Sequence, residues 1–361
     1  MSEKRLYSLA KQRTHDLIAG LRSKGYEVWG PAQGQGDDVG FACLESPSQL
    51  AQDYVNGYLG PKRYVFPQAE ELFRFKKTGR DICITSAEEA PPAVVWGLRS
   101  CDMSAINYFD SFFGLNAVSG PDWKPGENLP DPLYKKRRER AVFVTLACNR
   151  AGPKCFCVCT DTGPFLSQGF DLQLCDLGDH YLVEVGSDKG QDFVEGNKPF
   201  FGLATEADVS ERRRLEAEAE KTFMEPVSFF AKAMRRMDQG RLGDQFWSRV
   251  ASYCIGCGGC IYVCPMCSCF DVDDVKLSED EGARVRYWDT CDFAGFTREV
   301  SGHNPRPSRA DRRKRWFYHK LSMDYLEKNP VIGCVGCGRC VIACPGGVDM
   351  ATVVRWMRRA E

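Results

Sequence analysis

Two cysteine runs dominate the chemistry this chain could perform. The first is Cys254-Ile-Gly-Cys-Gly-Gly-Cys-Ile-Tyr-Val-Cys264-Pro265, and the second is Cys334-Val-Gly-Cys-Gly-Arg-Cys-Val-Ile-Ala-Cys344-Pro345. Both read C-x2-C-x2-C-x3-C-P, the spacing with which bacterial ferredoxins hold a cubane [4Fe–4S] cluster. Three thiolates in a tight turn cap three corners of the cube, and the glycines among them (256, 258, 259, 336 and 338) let the backbone close over the inorganic sulfides. In two-cluster proteins the fourth cysteine of each run ligates the other cluster. The spacing therefore assigns Cys254, Cys257, Cys260 and Cys344 to one cluster, and Cys334, Cys337, Cys340 and Cys264 to the other. Zinc, the competing metal, favours separated C-x2-C pairs, often with histidine.

A second group is Cys155-Phe-Cys157-Val-Cys159, with Cys148 seven residues upstream. In an extended segment residues two apart share a face, so the three thiols could converge on a metal or pack as ordinary buried thiols. Cys101 falls at an expected helix N-terminus, where the helix dipole favours thiolate. Cys267, Cys269 and Cys291 follow the first run; they could bind a further metal, but a thiol-rich wall around a cluster is the better reading. Cys43, Cys83 and Cys175 have no neighbours in sequence and are expected in the core. The four histidines show no ligand spacing.

These groups need a scaffold. The chain has 361 residues, 43% of them hydrophobic, and a formal net charge of −1, so no bulk field draws it to nucleic acid or membrane. The basic stretch 306–315 reads as a solvated helix entry or a partner contact. No apolar run approaches membrane-spanning length, and the first residues lack the apolar core of a secretion signal. Nineteen cysteines in a leaderless chain point to metal thiolates in the reducing cytoplasm, not to disulfides.

Along the chain, 4–24 shows helical spacing and 26–29 reads as a strand. The 30–40 loop misses G-x-G-x-x-G by one position and has no helix after it, so no dinucleotide site is expected. A helix is expected at 48–58, short buried strands at 67–75, 82–85 and 93–98, and a helix at 100–113. The charged helix 132–140 precedes strand 141–147, and 172–176 with 181–185 form a hairpin about Gly178-Asp179. The helix-favouring stretch 206–239 breaks near Pro226. Further helices are expected at 245–253, 310–328 and 348–359. The fold class is α+β. A small α/β domain (1–205) leads through a helical connector (206–243) to a dicluster ferredoxin-like domain (244–361), whose motifs are separated by an insertion (266–330).

Several segments resemble one family: Asp53-Tyr-Val-Asn56, Lys62-Arg-Tyr-Val-Phe-Pro67, Leu98-Arg-Ser-Cys-Asp-Met-Ser-Ala-Ile106, Asp131-Pro-Leu-Tyr-Lys-Lys-Arg-Arg138, Cys155-Phe-Cys with Thr162-Gly-Pro164, Gly169-Phe-Asp-Leu172, Tyr181-Leu-Val-Glu-Val-Gly-Ser187, Cys264-Pro-Met-Cys-Ser-Cys269 and Trp288-Asp-Thr-Cys291. The family is that of the iron–sulfur beta subunit of cytosolic NAD(P)-linked [NiFe] sulfhydrogenases. It includes the A subunit of anaerobic sulfite reductase and the B subunit of flavin oxidoreductase–heterodisulfide reductase complexes. The resemblance implies an electron relay that docks a ferredoxin-reductase-like subunit carrying a flavin and an NAD(P)H site. It also implies a terminal hydrogenase, sulfite reductase or heterodisulfide reductase subunit. It further implies a third [4Fe–4S] cluster at Cys101, Cys148, Cys155 and Cys157; Cys159 departs from the family pattern, which has a small polar residue there. The competing readings are a catalyst acting on a disulfide or sulfur substrate through Cys267, Cys269 and Cys291, and a scaffold that docks a flavin subunit.

Overall fold

The computed structural model describes residues 5–36, 38–86, 90–115, 130–326 and 332–360. Among them run strands β1 (Leu6–Ala10), β2 (Glu27–Gln33), β3 (Val39–Cys43), β4 (Ala69–Thr78), β5 (Asp81–Ser86), β6 (Ala93–Leu98), β7 (Ala141–Leu146), β8 (Leu172–Asp176), β9 (His180–Val185), β10 (Gly202–Leu203), β11 (Phe270–Lys276) and β12 (Glu281–Trp288). The larger sheet has the order β10-β1-β9-β8-β7-β6-β2-β3. Its middle strands β2, β6, β7 and β8 are parallel. The sequences of β6 and β7, Ala-Val-Val-Trp-Gly-Leu and Ala-Val-Phe-Val-Thr-Leu, are buried throughout. That is the continuous apolar run expected of a strand covered on both faces. Because β6 and β7 are parallel neighbours, Cys101 and Cys148, which follow them, emerge at the same end of the sheet. In open α/β sheets that carboxyl end is where ligands bind.

The second sheet, β11-β12-β4-β5, is antiparallel throughout. It joins two hairpins far apart in sequence, one from each cysteine-bearing half. The insertion hairpin is not legible as strands because Asp-rich β11 is exposed over most of its length. Its base is apolar: Phe270 and Trp288 pair in register and pack on Phe66. Into this aromatic nest goes Arg286, which is buried. Its Nε and Nη2 donate to Glu70, and Nη1 donates to Asp131 at 2.7 Å. Its guanidinium also lies over the rings of Phe66, Phe113 and Phe270.

Around the dicluster loops, helices Ala231–Asp238, Asp244–Tyr253, Arg309–Leu321 and Met350–Arg359 pack their apolar stripes together, with Trp247, Trp316, Phe317, Val353 and Met357 inside. No helix among the described residues is long and apolar enough to cross a membrane.

Several local expectations change. The helix over 4–24 is a strand followed by helix Thr14–Ser23: Leu6–Ala10 supply the pairing that β9 lacks on one edge, and tertiary pairing outweighs helical spacing. The helix over 48–58 is a 3-10 turn at Pro47–Gln49 and then irregular chain, held across the molecule by contacts to the second cluster loop. β5 is exposed, with Ile82 and Ile84 at 68% and 66%. The helix 310–328 ends at Leu321 and is followed by the turn Met323–Leu326. Lys4, Asp37 and the last residues of the insertion (327–330) lie outside the described residues.

Arg286→Ala is expected to cost about 1.5–3 kcal/mol, because it removes the charged donor shared by Glu70 and Asp131, while Arg137 remains on Glu70. Arg286→Lys, which keeps a cation without the fork that reaches both Glu70 and Asp131, should lose less. Denaturant unfolding under anaerobic conditions measures both; a loss under about 1 kcal/mol would contradict this role for Arg286.

Candidate metal centres

Helix Asp244–Tyr253 delivers the first loop. Cys254, Cys257, Cys260 and Cys344 line one cavity, beside Asp292 and Arg313. Cys344 belongs to the second run, so its side chain crosses to the first loop. Cys264 makes the reciprocal crossing: it lies within electrostatic reach of Cys334, Cys337 and Cys340. Burial raises the Cys334 thiol to about 12 and the Cys260 thiol to about 11. A bare thiolate is therefore disfavoured at these two positions, and a bound iron cluster would supply the missing positive charge. Each loop also has a buried cation. Arg313, 1% exposed, donates to Cys260 Sγ at 3.5 Å; Lys320, 3% exposed, donates to Cys264 Sγ at 3.6 Å. Among the described residues no three His, Cys, Asp or Glu side chains converge on a single-ion site; the thiols ring cavities instead. Donor set, cavity and cations fit [4Fe–4S] clusters.

The basic stretch 306–315 is mostly solvated, as expected of a helix entry, with two exceptions. Arg312 and Arg313 are buried, with Arg312 Nε donating to Asp292 O at 2.8 Å, while Lys314 and Arg315 face solvent. The run becomes an amphipathic helix with Arg312 and Arg313 on its inner side and Arg309, Lys314 and Arg315 on its outer side. A three-to-four-residue spacing of Arg312, Arg313, Trp316, Phe317 and Lys320 carried that signal.

Cys101, Cys148, Cys155 and Cys157 line a second cavity. Cys337 of the second ferredoxin loop lines it too. Cys159 does not: residues Cys157–Thr160 form a 3-10 turn, which breaks the alternation expected of an extended segment. Cys159 Sγ instead donates to Pro226 O at 3.2 Å. At Cys101 the helix dipole loses to desolvation. Burial and then the neighbouring Asp102 push its thiol well above the ordinary value. Arg99 stacks on Tyr54 at 4.1 Å, and Arg99 Nε and the Tyr54 hydroxyl are buried without a partner.

The second ferredoxin loop is docked on this cavity's wall. Gly336 has φ 58°, and a Cβ there would lie 2.5 Å from the backbone of Phe156 and Cys157. No other residue fits both constraints. Phe156 N donates to Gly336 O at 2.7 Å and Asn56 Nδ2 donates to Cys337 O at 2.5 Å. Arg339, 1% exposed, donates to both oxygens of Asp102 (2.5 and 3.0 Å) and to Gly57 O at 2.6 Å. Arg339, Asp102, Arg313 and Lys320 do not stand out in the sequence. The Arg inside Cys337-Gly-Arg-Cys340 was the available sign for one of them.

Cys267, Cys269 and Cys291 gather nearby. The Cys267 thiol hydrogen-bonds Cys264, and Cys269 hydrogen-bonds Cys291. The Cys291 hydrogen bond holds the Cys269 thiol below its ordinary range, and Cys291 is pushed up correspondingly. Lys62 is buried over the Trp288 ring at 3.6 Å and donates to Cys267 O at 3.1 Å; desolvation lowers it to about 8. Of the isolated cysteines, Cys175 is buried but Cys43 and Cys83 are exposed, because both lie on strands with solvated faces.

Two cysteine-lined cavities and a second ferredoxin loop, with no acid–base or phosphate-binding constellation built around them among the described residues, define an iron–sulfur electron-transfer protein. A model of the 4Fe-4S dicluster domain matches residues 253–348. The chain is 30% identical over 332 residues to sulfhydrogenase 2 subunit beta of Pyrococcus furiosus, covering 92% of each protein. It therefore belongs to this family of iron–sulfur beta subunits, and is an electron-transfer subunit of a multi-subunit oxidoreductase. A chain of the F420-reducing [NiFe] hydrogenase complex from Methanosarcina barkeri has a TM-score of 0.38 and 9% identity, over 65% of this chain and 92% of that one. A likeness at that level carries no argument.

Cys269 should react with iodoacetamide at neutral pH, where an ordinary thiol is largely protonated, and Cys291 should not. Peptide mapping after a short anaerobic pulse of label checks this; Cys291 labelled first would contradict the thiol assignment.

Proposed function

We propose that the chain relays single electrons between a flavin- and NAD(P)H-binding, ferredoxin-reductase-like subunit and a terminal redox subunit of the hydrogenase, sulfite reductase or heterodisulfide reductase type. Three [4Fe–4S] clusters would carry them. Cys254, Cys257, Cys260 and Cys344 hold the first, Cys334, Cys337, Cys340 and Cys264 the second, and Cys101, Cys148, Cys155 and Cys157 the third. Each cluster, when bound, supplies one-electron oxidation and reduction. The chain's own residues set the conditions. Arg313 and Lys320, buried beside Cys260 and Cys264, would favour the more negative, reduced state there. A flavin on the partner converts hydride pairs to single electrons. The hydrogenase partner is suggested by the name of the sulfhydrogenase relative.

One observation carries the reading: Cys337 lines the N-terminal cavity while belonging to the second ferredoxin loop. A third cluster there would abut the second without intervening protein layers. The same contact supports an arrangement of α/β domain (1–205), connector (206–243) and dicluster domain (244–361) acting as one conduit. The sequence features are consistent with a cytoplasmic setting and with no nucleic-acid partner.

About twelve irons per chain are expected, four for each cubane. Eight irons in a fully loaded anaerobic preparation would remove the third cluster. Cys264→Ala should bleach the cluster of Cys334, Cys337 and Cys340 and spare the other ferredoxin-type cluster; electron paramagnetic resonance separates the two. Cys155→Ala should abolish NAD(P)H-linked activity of the whole complex and leave both ferredoxin-type signals. Reduction of the isolated, flavin-free chain by NADH or NADPH at the rate of the complex would overturn the relay. The alternative, catalysis on a disulfide or sulfur substrate through Cys267, Cys269 and Cys291, predicts turnover of such a substrate by the isolated chain.

A further inference from the structure

The relay uses neither Cys269 nor Cys291, yet the fold takes some trouble to hold them together. Phe270 and Trp288 close the base of the β11–β12 hairpin. Immediately beyond them, Asp289 N donates to Cys269 O at 3.1 Å, so the two chain segments stay side by side. The thiols of Cys269 and Cys291 then meet in a direct hydrogen bond. Cys291 is buried and Cys269 half-buried. Cys267 differs: its hydrogen bond is to Cys264, which makes it part of the cluster wall.

The pair also shares a buried cation with the second ferredoxin-type site. The Lys320 ammonium, with Nζ 3.6 Å from Cys264 Sγ, is within electrostatic reach of Cys267, Cys269, Cys291 and Cys334 as well. One buried cation thus faces five sulfurs, two from the thiol pair, two assigned as cluster ligands and one between them. The Tyr108 and Tyr325 hydroxyls, hydrogen-bonded to each other, and Lys62 complete the surroundings. Two thiols in contact, beside a one-electron acceptor and under a shared positive charge, have the makings of a two-electron store.

We propose that Cys269 and Cys291 form a reversible disulfide that exchanges electrons with the cluster of Cys264, Cys334, Cys337 and Cys340. The proposal rests on that cluster assignment. On oxidation the S–S bond forms as two S–H bonds break. Two protons leave to solvent past the half-exposed Cys269. Two electrons pass one at a time through the Cys264 site to two oxidised clusters of the chain. Reduction reverses each step, with electrons supplied by the relay itself. The lowered Cys269 thiol fits the attacking role in bond formation. The chain would then hold a two-electron centre of its own, in addition to the flavin expected on its partner.

The test uses the full chain, loaded anaerobically, as wild type, Cys291→Ser and Cys269→Ser. Each is oxidised with thionin and then titrated with dithionite. Wild type is expected to accept two more electrons per chain than either variant, the count for one disulfide. Mass spectrometry of the oxidised wild type should find a Cys269–Cys291 linked peptide pair, lighter by two hydrogens than the reduced peptides. Iron content and the cluster signals of the variants should match wild type. Equal electron counts, or both thiols free to alkylate after oxidation, would overturn the proposal. So would loss of one cluster's iron in both variants, which would make these cysteines ligands. A wild type with no cluster at Cys264 would instead sink the relay assignment, and the linked peptide is read independently of it.

Discussion

A buried ion pair clamps the second ferredoxin loop to the N-terminal half of this molecule. Arg339 sits inside the second ferredoxin loop and Asp102 sits beside Cys101, at the start of the helix after β6. Neither reaches solvent. A buried charge without its partner is strongly destabilising, so neither side chain can rest where it is unless the other segment is present. The guanidinium is further tied to Gly57 O, which explains why 50–60 forgo a helix. With this clamp closed, Gly336 meets Phe156 and Cys157, and Cys337 reaches the N-terminal cavity. The two cysteine sites are neighbours because of it.

The other buried cations follow a related logic. Arg313 and Lys320 lie about two helical turns apart on one stripe, and each faces one ferredoxin-type loop. Arg313 shares its charge with Asp292 at 3.8 Å. Lys320 is surrounded by thiols and tyrosine hydroxyls, and these raise its affinity for a proton well above the ordinary value against the opposing effect of burial. Lys62, nearby, is lowered by desolvation first. The two loops, nearly identical in spacing, therefore experience different fields, which gives the protein a means of separating their potentials.

What could be read from sequence was whatever is local. Each C-x2-C-x2-C-x3-C-P run is a single turn whose spacing alone dictates a cubane-like arrangement, and strands β6 and β7 announced themselves by unbroken apolar runs. The N-terminal cavity was different. Cys101 follows β6 while Cys148, Cys155 and Cys157 follow β7, and the parallel pairing of β6 with β7 brings these two connections together. Their grouping came from family resemblance, not from spacing. Cys159 does not share a face with Cys155 and Cys157, because alternation presumes an extended chain and a 3-10 turn intervenes. Arg312 and Arg313 read as surface charge, since burial of a cation is legible only when its sulfur or carboxylate partner is known. The β11–β12 hairpin escaped notice because its outer strand has no apolar face; what holds it is pairing with β4, a contact made across most of the chain.

That last contact has a consequence for biosynthesis. β4 and β5 leave the ribosome long before β12, their sheet partner, has been translated, and Asp102 likewise precedes Arg339 by most of the chain. Contacts this distant in sequence form late and slowly. In the interval β4 presents an open edge, and such edges invite pairing with other chains. Maturation is thus ordered by topology: the N-terminal cavity acquires its Cys337 wall only when the carboxyl-terminal loop arrives, so a cofactor delivered to the nascent chain would meet a half-built and open cradle there.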